Sequence, residues 1–307
     1  MFAAPPAVEA RLFARLPDSL RITDRRSGWA FGKGRAPLHA FLEGPVFDRA
    51  GNLYVTDIPY GRILRVSPEG TFSLVAEYDG WPNGLALHPD GSLWIADHLR
   101  GILRLAPGAS KPEPVVETVR REGLKGTNDL TFARNGDLYF TDQGQTGLQD
   151  PSGRVYRLSA ATGRIDCLID NVPSPNGLVL TKDESALLLA VTRANEIWRL
   201  PLHADGTTSK VAAFIRLSGG LAGPDGLALD DEGNLAIAHC GLGTVWLFSR
   251  LGEPLLRVRC PQGLSTTNVA YGGPEGRQIF ITESDSGSIL VAEMPRPGAV
   301  LYSHRTA

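Results

Sequence analysis

Cysteine is scarce in this chain: only Cys167, Cys240 and Cys260 occur in 307 residues. An odd, sparse set does not make a disulfide framework and fits a reducing compartment. Charge of either sign is also missing as a dominant feature. With 31 Lys and Arg against 33 Asp and Glu, the net charge is −2, so no broad basic field draws in nucleic acid or an anionic membrane. No apolar run approaches the ~20 residues of a membrane-spanning helix. The N-terminal MFAAPPAVEARLF carries early prolines and no sustained apolar core of the kind a secretory leader needs. The expectation is a soluble, cytoplasmic protein that meets neither nucleic acid nor membrane; the sequence leaves its oligomeric state open. A sustained 3.6-residue period is absent as well, which argues against a helical fold. What the chain has in quantity is punctuation, 35 glycines and 22 prolines, which suits an all-β chain with many turns.

One pattern occurs six times. A polar residue precedes an apolar run, a tight turn follows, and a second apolar run ends in a small or acidic residue. The copies begin at Glu43 (EGPVFDRAGNLYVTD), Asn83, Asn128, Asn176 (PNGLVLTKDESALLLAVT), Asp225 (PDGLALDDEGNLAIAH) and Asn268. Successive gaps are 40, 45, 48, 49 and 43 residues. Third runs follow at Arg62–Val66, Gly101–Leu105, Arg154–Leu158, Glu196–Leu200, Thr244–Phe248 and Ser288–Ala292, and most copies continue into a fourth. Short strands repeating every ~40–50 residues predict a β-propeller with one copy per blade. The fold class is therefore all-β, a six-bladed β-propeller with four antiparallel strands per blade. Residues 41–307 form the propeller, and residues 1–40 are an N-terminal extension packing on it. Arg25–Pro37 reads as a loop. Either the N-terminal stretch or Val300–His304 supplies the strand that closes the last blade.

This topology places the six lead residues around one mouth of the central channel, together with the loops joining second and third strands. The residues ending the second strands, Asp57, His98, Gln143, Arg193, His239 and Glu283, are expected to form an outer wall. The lead ring holds two carboxylates and four amides, hard oxygen donors that suit Ca²⁺ or, less specifically, Mg²⁺ or Mn²⁺. A lone Asn or Asp before Gly more often bonds its own backbone in a turn; six in register, one of them Glu43, weigh against that reading.

Four motifs carry a resemblance. Leu-Glu-Gly-Pro-Val-Phe-Asp (Leu42 to Asp48), Thr-Asn-Asp-Leu (Thr127 to Leu130), Ser-Pro-Asn-Gly-Leu (Ser174 to Leu178) and Gly-Pro-Asp-Gly-Leu (Gly223 to Leu227) stand in order at blade spacing. Over about residues 41–293 the chain resembles the SMP-30/gluconolactonase/LRE family of six-bladed propellers. The resemblance implies one catalytic divalent cation held by Glu43, Asn128, Asn176 and Asp225, with Ca²⁺ as first choice and Mg²⁺, Mn²⁺ or Zn²⁺ as alternatives. In the family's animal branch an Arg that grips sugar hydroxyls lies two residues before the equivalent of Asn128; here that position is Gly126.

The reaction expected is metal-assisted opening of a lactone, or a related small ester, with Asp225 as general base. Asn128, His98, Gln143, Arg193 and His239 are the expected substrate contacts. A phosphotriesterase-like hydrolase, a lyase or hydratase acting on a small acid, and a non-catalytic binding propeller are the competing readings.

Overall fold

The computed structural model describes residues 3–32 and 38–305. Counted from the axis outward, blade 1 is Leu42–Phe47, Leu53–Asp57, Arg62–Val66 and Phe72–Glu77. Blade 2 is Pro82–Leu87, Leu93–Asp97, Gly101–Leu105 and Glu113–Val116. Blade 3 is Thr127–Phe132, Leu138–Asp142, Gly153–Leu158 and Ile165–Val172. Blade 4 is Pro175–Leu180, Ala186–Val191, Glu196–Pro201 and Ala212–Arg216. Blade 5 is Gly223–Leu229, Leu235–Cys240, Thr244–Phe248 and Pro254–Arg259. Blade 6 contributes Thr266–Gly272, Gln278–Glu283 and Ser288–Glu293. The chain is thus an all-β six-bladed propeller.

The last blade is completed by the start of the chain. Arg11–Arg15 pairs antiparallel with Ser288–Val291, and Ala7–Glu9 lies parallel against Arg257–Arg259 of blade 5. The C-terminal residues do something else. Ala299 N donates to Leu229 O at 2.9 Å, and Tyr302 stacks on Phe132 with centroids 5.0 Å apart. Those partners sit at the far ends of the inner strands, so the C-terminal segment crosses the opposite mouth of the channel. There it helps enclose a cavity of about 220 Å³. Within Arg25–Pro37, expected as a loop, Gly28–Gly32 forms a short helical turn; positions 33–37 lie outside the described residues.

Six apolar clusters hold the ring, each shared by two neighbouring blades and none confined to one. Blade 3, for example, meets blade 4 through Tyr139, Val155 and Val172 against Leu178, Leu187 and Leu189. A strand packed on both faces cannot alternate apolar with polar, which is why Ala186–Val191 (ALLLAV) is buried throughout. Each fully buried Leu, Ile or Val there contributes about 1.5–3 kcal/mol. Hydroxyls tie adjacent blades near the axis. Thr56 Oγ1 donates to Asn83 O at 2.8 Å, Thr141 Oγ1 to Asn176 O at 3.0 Å, and Thr192 Oγ1 to Pro224 O at 2.8 Å. Across the closure, Ser284 Oγ donates to Leu42 O at 2.6 Å. All three cysteines are free. Among the described residues, no helix is long and apolar enough to cross a membrane.

Because the N-terminal strand closes the ring, deleting residues 1–15 leaves Ser288–Glu293 as an unpaired edge and uncovers Ile289 and Val291. The expected outcome is insoluble protein or a melting temperature lower by roughly 10 °C or more, several kcal/mol in a domain of this size. A truncated protein melting with the full chain would show that closure lies elsewhere.

Candidate functional site

Every inner strand loses its ladder register next to its lead residue. The irregularities fall between Glu43 and Val46, Pro82 and Leu85, Thr127 and Leu130, Pro175 and Leu178, Pro224 and Leu227, and Thr266 and Asn268. Such a break re-aims a side chain out of the strand's alternation. The glycine after the lead residue has a matching role. A Cβ at Gly177 would overlap the Asp225 carbonyl oxygen, and one at Gly44 the Asn83 carbonyl oxygen. Here glycine is a packing requirement that lets neighbouring inner strands close on the axis.

The result is a cavity of about 600 Å³ at the mouth, with Glu43, Asn83, Asn128, Asn176 and Asp225 on its lining. Four of these are the expected ligands. The amides are oriented by outer partners. Asn128 Nδ2 donates to Gln143 Oε1 at 3.1 Å, while Gln143 Nε2 donates to Ser174 Oγ at 3.0 Å. Asn176 Nδ2 donates to Thr192 Oγ1 at 3.2 Å. With the amide nitrogens of Asn128 and Asn176 engaged, their oxygens are the atoms left to act as ligands. Among the described residues, no group of three or more His, Cys, Asp or Glu is arranged to hold a metal. A cation here would rest on two carboxylates and neutral amide oxygens, a hard donor set suited to Ca²⁺.

Asn268 does not line this cavity. Its Nδ2 donates to Glu43 Oε2 at 2.9 Å, and the same oxygen accepts Gly44 N at 2.7 Å. Asn268 therefore supports Glu43 from behind. Burial pushes the Glu43 carboxyl up to about 7, against the opposing effect of these hydrogen bonds. Asp129 was not expected to matter. It occupies the position that is glycine in most copies, it is half-buried, and desolvation together with the nearby Glu43 charge pushes its carboxyl up to about 8. Its signal in the sequence was an acid where the repeat wants Gly.

The wall departs from expectation in a regular way. Asp57, Asp97, Asp142, Val191 and His239 hold one register position, opposite the start of the inner strand. All five are buried, and the residue after each, Ile58, His98, Gln143, Thr192 and Cys240, lines the cavity. Successive strand side chains point to opposite faces, so one position decides which of a pair reaches the site. The buried acids serve the blades. Asp57 Oδ1 accepts Phe41 N at 2.7 Å and its Oδ2 accepts Arg62 Nε at 2.8 Å; Asp142 Oδ1 accepts Gly126 N at 2.8 Å. Glu283 accepts Ser265 N at 3.2 Å and is likewise buried off the wall.

Of the expected substrate contacts, Asn128, His98, Gln143 and Arg193 do line the cavity. His239 is not brought there. It is wholly buried beneath Gly220, its Nδ1 accepts Trp246 Nε1 at 3.2 Å, and burial lowers its pKa. The residues missed by sequence reading are Trp29, Phe41 and Ile58, an apolar side of the cavity over blade 1. At Gly126 any Cβ would fall onto the His98 imidazole.

Replacing Gly177 with Ala is expected to push the Asp225 backbone outward and to cost about 1–3 kcal/mol, as overpacking in a filled interior does. Chemical denaturation measures this, and a variant as stable as the parent would show that the two inner strands are free to separate.

Comparison with known proteins accords with this geometry. Residues 41–285 match the family described as the SMP-30/Gluconolactonase/LRE-like region. A gluconolactonase from Zymomonas mobilis is 30% identical over 273 residues, covering 79% of this chain and 76% of that protein. Lactonase drp35 from Staphylococcus aureus is 30% identical over 269 residues, covering 81% of each. Among solved structures, a gluconolactonase from Xanthomonas campestris superposes with a TM-score of 0.73 at 25% identity, covering 94% of this chain and 99% of that one. Regucalcin from Agrobacterium tumefaciens, a calcium-binding protein, shares the fold with a TM-score of 0.77 at 20% identity, covering 99% and 100%.

Proposed function

The chain belongs to the SMP-30/gluconolactonase/LRE-like family, and from that premise we propose that it is a divalent-metal-dependent lactonase with Asp225 as general base. The observation that carries the proposal is the oxygen ring: Glu43, Asn128, Asn176 and Asp225 meet at one cavity, with the amide nitrogens of Asn128 and Asn176 committed to Gln143 and Thr192. Those four residues would hold the ion, Ca²⁺ before Mg²⁺, Mn²⁺ or Zn²⁺. When bound, such an ion supplies Lewis-acid polarisation of an ester carbonyl and a lowered pKa for water.

The remaining chemistry falls to the chain. Asp225 lines the cavity and takes a proton from water as the water oxygen bonds to the lactone carbonyl carbon. Collapse of the tetrahedral centre breaks the ring C–O bond. The leaving alkoxide then receives a proton from Asp225 or from His98, which also lines the cavity, stacks against Trp81 with centroids 6.1 Å apart and approaches Gln145 Nε2 at 3.5 Å. Gln143 fixes the Asn128 amide, and Arg193 on the rim offers a charged hydrogen-bond donor to the opened carboxylate. A cavity of about 600 Å³ fits a small-molecule substrate.

Asp225→Asn tests the base. It keeps size and one oxygen donor but removes the charge and the proton acceptor. With bound metal quantified across a Ca²⁺ titration, lactone hydrolysis followed by a pH indicator should stay ~10²-fold or more below the parent even at full occupancy. Recovery of the parental rate in the metal-loaded variant would remove Asp225 as base and leave it a ligand.

Glu43 sets a pH dependence. In the metal-free protein burial holds its carboxyl above the ordinary carboxylate range, at about 7. A proton therefore competes with the ion already below neutrality, so affinity weakens as pH falls through that value, by up to ~10-fold per pH unit for one proton. Calorimetry at pH 6 and pH 8 should show weaker Ca²⁺ binding and greater proton release at pH 6. Equal affinity at both would contradict Glu43 as a ligand.

A further inference from the structure

The cavity has two unlike sides. Over blades 3 and 4 it is lined by neutral hydrogen-bonding groups, Gln143, Gln145, Ser174 and Thr192. Over blade 1 it is lined by Trp29, Phe41 and Ile58. These three belong to one apolar cluster, with the Trp29 and Phe41 rings 4.9 Å apart. Glu43 begins two residues after Phe41, so the apolar side abuts the oxygen ring. Among the described residues on the lining, the ionisable ones are Glu43, Asp225, His98, Cys240 and Arg193. With Glu43 and Asp225 committed to the cation, Arg193 is the one guanidinium on the lining among the described residues.

The rim continues the apolar character. Leu148, on the lining, is 71% exposed, and Leu221, in the loop entering blade 5, is 83% exposed. Leu99 and Leu264 are exposed in loops that topology places at the same mouth. Scattered exposed leucines are ordinary; an exposed leucine on the lining itself, Leu148, continues the apolar side toward solvent and suits an apolar ligand.

We propose, building on the lactonase reading, that the substrate is an uncharged lactone bearing an apolar alkyl or aryl substituent, with Trp29, Phe41 and Ile58 as the subsite for that substituent. The polar side and the oxygen ring hold the ester group, and the substituent points toward blade 1. A polyhydroxylated lactone would instead strand its hydroxyls against Trp29 and Phe41, where they find no partner. The position before Thr127 reinforces this. Gly126 has φ +143° and the His98 imidazole fills the space a side chain would need, so no longer hydrogen-bonding group can enter from there.

Three δ-lactones of one ring size separate the outcomes: δ-decalactone, with a pentyl substituent, δ-valerolactone, with none, and glucono-δ-lactone, with hydroxyls. After correction for spontaneous hydrolysis, kcat/KM is expected to be about tenfold or more higher for δ-decalactone than for either other. In Trp29→Ser the ratio of δ-decalactone to δ-valerolactone should fall roughly tenfold, and Trp29→Phe should restore most of it. Leu148→Asn, at an exposed position, should lower the same ratio without the folding risk of changing Trp29. Hydrolysis of δ-valerolactone or glucono-δ-lactone as well as or better than δ-decalactone would overturn the apolar subsite while leaving the lactonase reading intact. No turnover of any of the three would overturn the lactonase reading, and this inference with it.

Discussion

Closure of the ring by Arg11–Arg15 on Ser288–Val291 is the contact on which the rest depends. It joins residues some 280 positions apart and turns a row of stacked blades into a circle. Only in a circle does every blade find a packing partner on both faces, and the six apolar clusters are all of that shared kind. A propeller opened at that seam would expose Ile289 and Val291 on one side and Leu42 and Val55 on the other. The entropy of bringing such distant segments together grows only slowly with their separation, whereas the apolar surface covered is large, so closure is favourable despite the long loop it makes.

From closure follows the site. The lead residues lie on different blades, and threonine hydroxyls hold adjacent inner strands together beside them. Thr56, Thr141 and Thr192 each bond a backbone carbonyl at or beside the next blade's lead residue. The glycine after the lead residue permits that closeness, and the break in the ladder beside it re-aims the side chain. The packing glycine and the candidate ligand thus fall on the same four-residue stretch in most repeats, which is why the motif is compact.

The channel interior carries an electrostatic cost. Burial raises the Glu43 carboxyl, desolvation and the Glu43 charge raise that of the half-buried Asp129, and Asn268 hydrogen-bonds to both. An unscreened pair of carboxylates in such surroundings is unfavourable unless one is protonated or a cation lies near.

How much of this was legible beforehand divides along a physical line. Repeats, strand number, the mouth and the ring of six lead residues follow from the sequence because they rest on local chemistry recurring at a fixed period, while the choice of Glu43, Asn128, Asn176 and Asp225 among them came from the family resemblance. The N-terminal strand could not be assigned, since Ala7–Glu9 and Arg11–Arg15 are too short to announce a partner. The wall was misread by one residue at Asp57 and His239, where Ile58 and Cys240 reach the cavity instead. Alternation fixes that two neighbours face opposite ways, but only the pairing register decides which faces in. Trp29 and Phe41 were invisible as site residues because each is an ordinary apolar side chain until the fold sets it beside Ile58 at the mouth. The sequence by itself determined the repeated unit and its oxygen donors. The tertiary structure decided which side chains share a cavity, because that depends on closure of the ring and on register, properties of pairs of strands rather than of any one segment.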